Sequence, residues 1–375
     1  MSDRADIPIR NIYYLLCYAW RRLEERDLLA LDVDDVTELV DLFGRVLLGG
    51  VRHLRRRGLD RGYLNHEERT TTIRGRIDLD RTVRENLLQH GRVCCRYDHL
   101  SHDVLHNRIL RSTIETLAAD PSLDQDLAQR LSEALRWFAG VERVALTPGV
   151  FRKLQLHRNN AVYGFLMDIC RLVMEQMLVS ERRGESLFRN FLRSDHEMRL
   201  LFEQFVRNFY DLELTDARVI AKKLNWAGLA ADDISALVLP GMVTDVTIER
   251  DEHVIILDTK YTPKALVEAH HGGGERLRTE HLYQLFAYVR NAEALGGKWQ
   301  ACEGVLLYPA VGDQFRFEYE IAGHRLRICS VDLAAEWKSI QDELLDIARS
   351  HSVGHKAFGL DGARQNLMST RKLEV

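Results

Sequence analysis

The chain has 375 residues, 46% hydrophobic and 29% charged, with only 6 prolines and 24 glycines, which excludes collagen-like and disordered classes and suffices for packed cores. A net charge of −4 and a pI near 6.4 give no global attraction to nucleic acid, so only a local basic groove could serve such a partner. Six cysteines without CxxC or zinc spacing, no apolar run of about 18 residues, and an opening "MSDRADIPIR" with acids and no apolar segment exclude a disulfide scaffold, a membrane span and a signal peptide; the expected compartment is reducing and cytoplasmic.

In chain order, "NIYYLLCYAWRRLEERDLL" has helical spacing, with Tyr14, Leu15, Tyr18 and Leu23 among its apolar positions. "LVDLFGRVLLGGVRHLRRRGLDRGY" reads as a second amphipathic helix ending in a basic cluster. "RTTTIRGRIDLDRTV" predicts a strand around Thr71–Ile77 leading into a helix. "HNRILRSTIETLAAD" and "DQDLAQRLSEALRWFAGV" are further helices separated by Pro121, and "TPGVF" breaks the pattern. A long apolar helix starts near Asn160. The boundary is placed between 150 and 160, giving a helix-rich, mixed first domain (1–155) and a second domain (156–375). In the second, the order helix, strands, helix, strand, helix predicts a mixed sheet flanked by helices, an α+β or mixed α/β class. "HHGGGERLR" (270–278) reads as a mobile loop.

Two strands carry the candidate chemistry. In "MVTDVTIE" the two-residue period puts Met242, Val246 and Ile248 on one face and Asp245 on the other. In "VIILDTKYT" Asp258 and Lys260 share a face. "RDEH" (250–253) is a turn that would make the pair a hairpin. Two carboxylates and the backbone carbonyl of Thr259 are the hard oxygen ligands that Mg²⁺ prefers, with Mn²⁺ as an alternative. Such a set suits phosphodiester hydrolysis, with Lys260 either orienting the attacking water or stabilising charge on the phosphorane. The competing reading is a strand end with solvated charges. The helix "HLYQLFAYVR" buries Leu282, Leu285, Phe286 and Val289 and presents Gln284 and Tyr288, four apart, on another face. A helix of this kind after a D-x-K strand resembles the PD-(D/E)xK nucleases. Glu203, in "MRLLFEQFVRNFY", is a further candidate metal ligand or water contact, beside core residues Leu201, Phe202, Phe205 and Phe209.

Beyond these, "RHLRRR" offers Arg55, Arg56 and Arg57 for DNA phosphates or an acidic patch on a partner, against the plainer reading of a solvated helix face. Arg74 and Arg76 in "IRGRI" are candidates to reach a nucleotide site in trans. His102 and His106, with His99 near, have one-turn spacing but no further ligand set, so a structural role is expected for them, as for Asn107 and Arg108.

With these residues placed, the chain resembles, almost end to end, the McrC family, the nuclease subunits of McrBC modification-dependent restriction systems. The resemblance rests on "IPIRNIYYLLCYAW", "IRGRIDL", "YDHLSHDVLHNRILRSTI" and "ALTPGVF" in the first part, and on "MVTDVTI", "VIILDTKYT", "LYQLFAYV", "GVLLYP" and "EWKSIQDELLDIA" in the second. It implies that the family's catalytic acid, acid and lysine fall on Asp245, Asp258 and Lys260. Thr244 stands where the family usually has proline. It further implies a DNA endonuclease working with an McrB-like AAA+ GTPase ring on double-stranded DNA carrying modified cytosine, with the first domain docking on the ring and stimulating its GTPase. GTP would be bound by the partner: this chain has no G-x-x-x-x-G-K-[ST], and "GGKW" (296–299) lacks the loop and the hydroxyl. Nor can an aromatic cage for a flipped base be read here. Double-strand cleavage would bring two copies together. The rival readings are a stand-alone nuclease of the same fold and a non-cleaving assembly subunit.

Overall fold

The computed structural model describes residues 7–24, 36, 38–156, 161–183, 194–228, 238–262, 265–268, 275–312 and 314–349. The first part is built from helices α1 (Ile9–Ala19), α2 (Leu39–Arg57), α3 (Leu79–Arg84), α4 (Leu105–Ala118) and α5 (Gln125–Ala134), with a three-stranded antiparallel sheet of β1 (Gly62–Thr70), β2 (Arg76–Ile77) and β3 (Val93–Ser101) in the order β1-β3-β2. The helix predicted from Asn11 to Leu29 stops at Ala19, and residues 25–29 lie outside the described residues. Gly58, with φ +89°, ends α2 in a conformation that a side chain would resist.

The strand expected over Thr71–Ile77 is cut to Arg76–Ile77. Thr71–Gly75 is a turn, because Gly75 sits at φ +63° and a Cβ there would lie 2.5 Å from the Arg96 carbonyl oxygen. The long strands, β1 and β3, together expose half of their residues to solvent, and neither carries the apolar alternation that would have announced it. His102 precedes α4, so the expected helical pairing with His106 does not exist. Instead, His106 Nε2 meets Asp60 at 2.9 Å, while buried Asn107 donates to the carbonyls of Asp60 and His102 and accepts from Tyr163. The structural role expected for these residues is what they have.

Helix α6 (Ala161–Arg183) packs against α2 and α4. From α7 (Asp195–Glu213) onward come β4 (Arg218–Ile220), β5 (Lys223–Leu224), β6 (Met242–Val243), β7 (Val246–Glu249), β8 (Val254–Thr259), β9 (Leu266–Glu268), β10 (Glu275–Leu277), α8 (Thr279–Ala292), β11 (Glu303–Ala310), β12 (Arg316–Ile321), β13 (His324–Asp332) and α9 (Trp337–Ala348). The main sheet runs β12-β13-β11-β8-β7-β4, with β11 parallel to both β8 and β13 and the other pairs antiparallel. This is the mixed, helix-flanked sheet that the element order predicts. Of the loop expected over 270–278, residues 270–274 lie outside the described residues, and Glu275–Leu277 form a strand on β9.

Both sheet faces are covered, which is why β8 is buried at every residue. Ile255 and Leu257 join α1, α7 and α9 in one core; Val254 and Ile256 join Leu285 and Val289 of α8 in the other. The period of two therefore sends Asp258 toward α8 and Thr259 toward α7. One expectation fails here. Met242 belongs to the α8 core, whereas Val246 and Ile248 belong to the opposite one. The strand breaks at Thr244–Asp245, where β6 pairs with β5 rather than continuing beside β8, and the alternation loses its phase.

Helix α1 ties the two halves together. Asn11 is fully buried and its Nδ2 donates to the Leu333 and Ala335 carbonyls at 2.7 and 2.9 Å. Tyr14 stacks on Trp337, and the Tyr18 hydroxyl donates to Glu213 at 2.6 Å while accepting from Gln341. Asn11→Ala leaves both carbonyls buried without their donor and is expected to lower stability by about 1–3 kcal/mol, read as a lower denaturation midpoint at unchanged slope.

Candidate active site

The hairpin expected between the two acids is present. Arg250 N–H bonds the His253 carbonyl at 2.8 Å, and β7 pairs with β8 from Val246↔Leu257 to Glu249↔Val254. Ladder pairing stops at Val246, and Asp245 turns in just beyond it. Its Oδ2 accepts from both the Thr259 N–H and the Thr259 hydroxyl, each at 2.7 Å. The N–H and C=O of one strand residue point to the same side, so the Thr259 carbonyl also faces the Asp245 edge. Behind Asp245, Arg207 Nε donates to its backbone carbonyl at 2.8 Å and pairs with Glu203 one turn away on α7. Glu203 is pushed above the usual carboxylate range by burial and by the Asp245 charge.

At Thr244, where the resemblance implies a proline, the structure supplies partners that proline could not have. The Thr244 N–H, which proline would lack, donates to the Lys222 carbonyl at 3.0 Å; its hydroxyl accepts from Lys222 N–H and meets Thr247 Oγ1 at 2.8 Å. The bend before Asp245 is thus fixed by hydrogen bonds instead of a ring.

Asp258 is fully buried. Lys260 Nζ lies 2.6 Å from its Oδ2, and Oδ1 has no hydrogen-bond partner among the described residues. Burial pushes this carboxyl up to about 7; Lys260 opposes the rise, while Asp245 and Glu203 add to it. Lys260 Nζ also donates to Gln284 Oε1 at 3.0 Å, Gln284 Nε2 to the Tyr288 hydroxyl at 2.7 Å, and that hydroxyl to the Val243 carbonyl at 3.1 Å. This chain of bonds closes from the second acid's strand through α8 to the strand before the first acid. Asp245, Asp258, Lys260, Gln284, Tyr288, Glu203 and the Thr259 carbonyl therefore meet at one end of the sheet. Arg207 and the Thr259 hydroxyl join this site in addition to the residues expected from the sequence. Arg207 was signalled only by its i,i+4 spacing to Glu203.

The remaining candidates lie elsewhere. Arg74 and Arg76 flank the Gly75 turn beside β3, and Arg55, Arg56 and Arg57 end α2. Lys298 of "GGKW" donates to the Arg250 carbonyl at 2.7 Å, inside a 3-10 turn rather than a phosphate loop. No helix among the described residues is long and apolar enough to cross a membrane, and all six cysteines are buried free thiols.

Among the described residues no group of three His, Cys, Asp or Glu side chains is gathered to hold a metal ion. The donor set present still fits a hard divalent cation. It comprises two carboxylates, one with an unpartnered buried oxygen, and a carbonyl on the same edge, with the remaining positions left to water and phosphate, as Mg²⁺ prefers.

The fold class is thus mixed α/β: a helix-rich first part, then a mixed sheet whose central hairpin brings acid, acid and lysine together. The profile of the McrBC family, "McrBC 5-methylcytosine restriction system component", matches residues 8–309, and the chain belongs to that family. It is 34% identical over 341 residues to the type IV methyl-directed restriction enzyme EcoKMcrBC of Escherichia coli K12, covering 91% of this chain and 97% of that protein. A refined half-complex of Thermococcus gammatolerans McrB AAA+ hexamers with bound McrC contains a chain of similar fold, with TM-score 0.59 and 18% identity over 91% of this chain and 76% of that one. The cryo-EM structure of the T. gammatolerans McrBC complex aligns over 55% of this chain and 59% of that one, with 19% identity and TM-score 0.41.

Proposed function

We propose that this chain is the Mg²⁺-dependent DNA endonuclease subunit of a modification-dependent restriction complex, cutting double-stranded DNA that carries modified cytosine in company with an McrB-like AAA+ GTPase ring that binds the GTP. The carrying observation is the buried Asp258, with one carboxylate oxygen unpartnered and the other on Lys260, beside an Asp245 braced by Thr259. Family membership and the E. coli relative's role as a methyl-directed restriction enzyme support it. So does the solved assembly in which a chain of this fold is bound to McrB hexamers. Buried free thiols suit a cytoplasmic place of work.

Asp245, Asp258 and the Thr259 carbonyl would hold the cation. When bound, it supplies Lewis-acid polarisation of the phosphate and a more acidic water. Asp245 enters preorganised, since two hydrogen bonds from Thr259 fix one oxygen and leave the other to a ligand. Lys260 is held between Asp258 and Gln284, so its ammonium stays at the strand end and can stabilise charge developing on the phosphate. Tyr288 and Gln284 fix that ammonium's direction without reacting themselves.

The test is cleavage of methylated plasmid with GTP and Mg²⁺, with and without the cognate GTPase. Cutting is expected only in the mixture, and Lys260→Ala should lower it at least about a hundredfold, in line with the loss of one charge-stabilising donor, while leaving stimulated GTP turnover in place. Cutting by the chain alone would favour a stand-alone nuclease; faster GTP turnover without any cutting would make it a non-cleaving activator.

A further inference from the structure

Away from the acid–lysine site, the second half of α2 and the end of α5 enclose an open groove of about 620 Å³. Arg52, Arg55, Arg56, Arg130 and Arg136 line it with Trp137, against the single acid Glu133. Arg52, Arg55 and Arg56 recur at i, i+3 and i+4 and so share one stripe of α2. Arg130 comes from α5, and Arg136 from the 3-10 turn Leu135–Phe138 that follows it.

Among the described residues, Arg52, Arg55, Arg56 and Arg136 have no carboxylate partner. Arg130 alone is paired, with Asp126 at 3.1 Å. Other arginines of the first part behave differently: Arg69 and Arg81 share Glu85, Arg96 holds Asp78, and Arg108 holds Asp103. Like charges one turn apart repel, so this stripe costs the fold stability instead of adding to it. The dipole of α2 accounts for arginines in its last turn. It does not account for Arg52 a turn earlier, nor for Arg130 and Arg136 arriving from another helix. His53, on the same helix, is held below the ordinary imidazole value by burial and by the charges of Arg57 and Arg56, so the local field is positive in a chain whose net charge is −4.

The chemistry of the lining selects the ligand. Arg55 lies over the Trp137 ring, 4.6 Å from its centroid. The indole covers one guanidinium face and leaves the edge donors, whose fork geometry matches phosphate oxygens, pointing outward. Arg136 Nε donates to the Glu133 carbonyl at 3.1 Å, but four forks without a carboxylate partner, spread along an open groove, match repeated phosphates better than a single bound anion.

We infer that this groove binds the phosphate backbone of duplex DNA, as a contact separate from the cutting site. The inference rests on the reading of the chain as a DNA-cutting subunit. It is tested with the full chain in metal-free buffer, by the fluorescence anisotropy of a labelled duplex across a salt series. The variant carries Arg52→Gln, Arg56→Gln and Arg136→Gln, three exposed side chains with no carboxylate partner among the described residues.

Removing three phosphate contacts should flatten the slope of log affinity against log salt by about 2.7, at about 0.9 per contact. Between about 50 and 200 mM salt the unaltered chain then loses about 40-fold more affinity than the variant does. Equal slopes, or no duplex binding by the unaltered chain at low salt, overturn the inference. So does competition by free GTP as strong as that by unlabelled duplex, which would make the groove a mononucleotide site. A variant that keeps duplex binding but no longer stimulates the GTPase ring would also overturn it, by making the groove a protein-docking surface. Asp258→Asn, measured alongside, should lose cutting and keep the salt slope, so a failure of the groove and a failure of the cutting site are read separately.

Discussion

Asp258→Asn should abolish cleavage and at the same time make the metal-free protein more stable. The carboxylate is a proposed ligand of the cation, whose polarisation of the phosphate contributes several kcal/mol, so the expected loss in rate is at least about a thousandfold. The stability gain has a separate origin. In the folded chain burial pushes the Asp258 carboxyl up to about 7, against 3.8 for an ordinary aspartate. Between those two values the folded chain keeps a proton that the unfolded chain releases, so stability falls as pH rises through this window and levels off above it. The full cost, on the order of 4 kcal/mol, is present above pH 7 and absent below about pH 4. Asparagine carries no charge at any pH. The melting temperature of the variant should therefore match the wild type in acid and exceed it by about 5 °C at pH 8 without divalent ions. Adding Mg²⁺ should raise the wild-type value and leave the variant unmoved, since a ligand stabilises only the state that binds it. A variant that loses activity with no pH-dependent gain in stability would mean that Asp258 is already ionised and satisfied in the free protein.

Glu303→Ala should be the most destabilising single change away from the candidate site. Arg327 is completely buried in β13, and its Nε donates to Glu303 at the start of the neighbouring β11. Its Nη2 reaches the Ile347 carbonyl of α9 at 2.8 Å, which pins the last helix to the sheet. Such a pair adds little net stability, because desolvating both ions offsets their attraction. Removing one partner is another matter: the guanidinium stays buried without its carboxylate, at a cost of about 3–5 kcal/mol. Chemical denaturation should give that loss for Glu303→Ala. The double replacement of Glu303 and Arg327 by Met, close in volume and uncharged, should recover most of it. Equal losses for the single and the double variant would show that packing volume, and not the orphaned charge, sets the cost.

Much of the candidate site was legible in the sequence because its geometry is local. Asp258 and Lys260 share a face through the two-residue period of one strand. Gln284 and Tyr288 share a face through the helical period, and Asp245 approaches them through a four-residue turn. Each of these is a spacing that backbone geometry fixes within a few residues. The mixed, helix-flanked sheet followed in the same way from the order of its elements.

What the tertiary structure decided depends on contacts that no spacing encodes. Met242 lies in the opposite core from Val246 because Thr244 bonds Lys222, 22 residues earlier, and breaks the strand. The half-exposed strands β1 and β3 are held by each other, and their sequences lack the alternation that burial of one face imposes elsewhere. Arg207, which anchors the Asp245 backbone, acts across 38 residues, and Asn11 bridges to Leu333 across 322. The arginines of α2 became a groove only when α5 supplied Arg130 and Arg136. The proton affinity of Asp258 belongs to the same class. That a carboxylate and a lysine end this strand follows from the order of residues; that the carboxylate holds its proton to about 7 follows from burial between two packed helix layers, because desolvation is a property of the whole fold around the group.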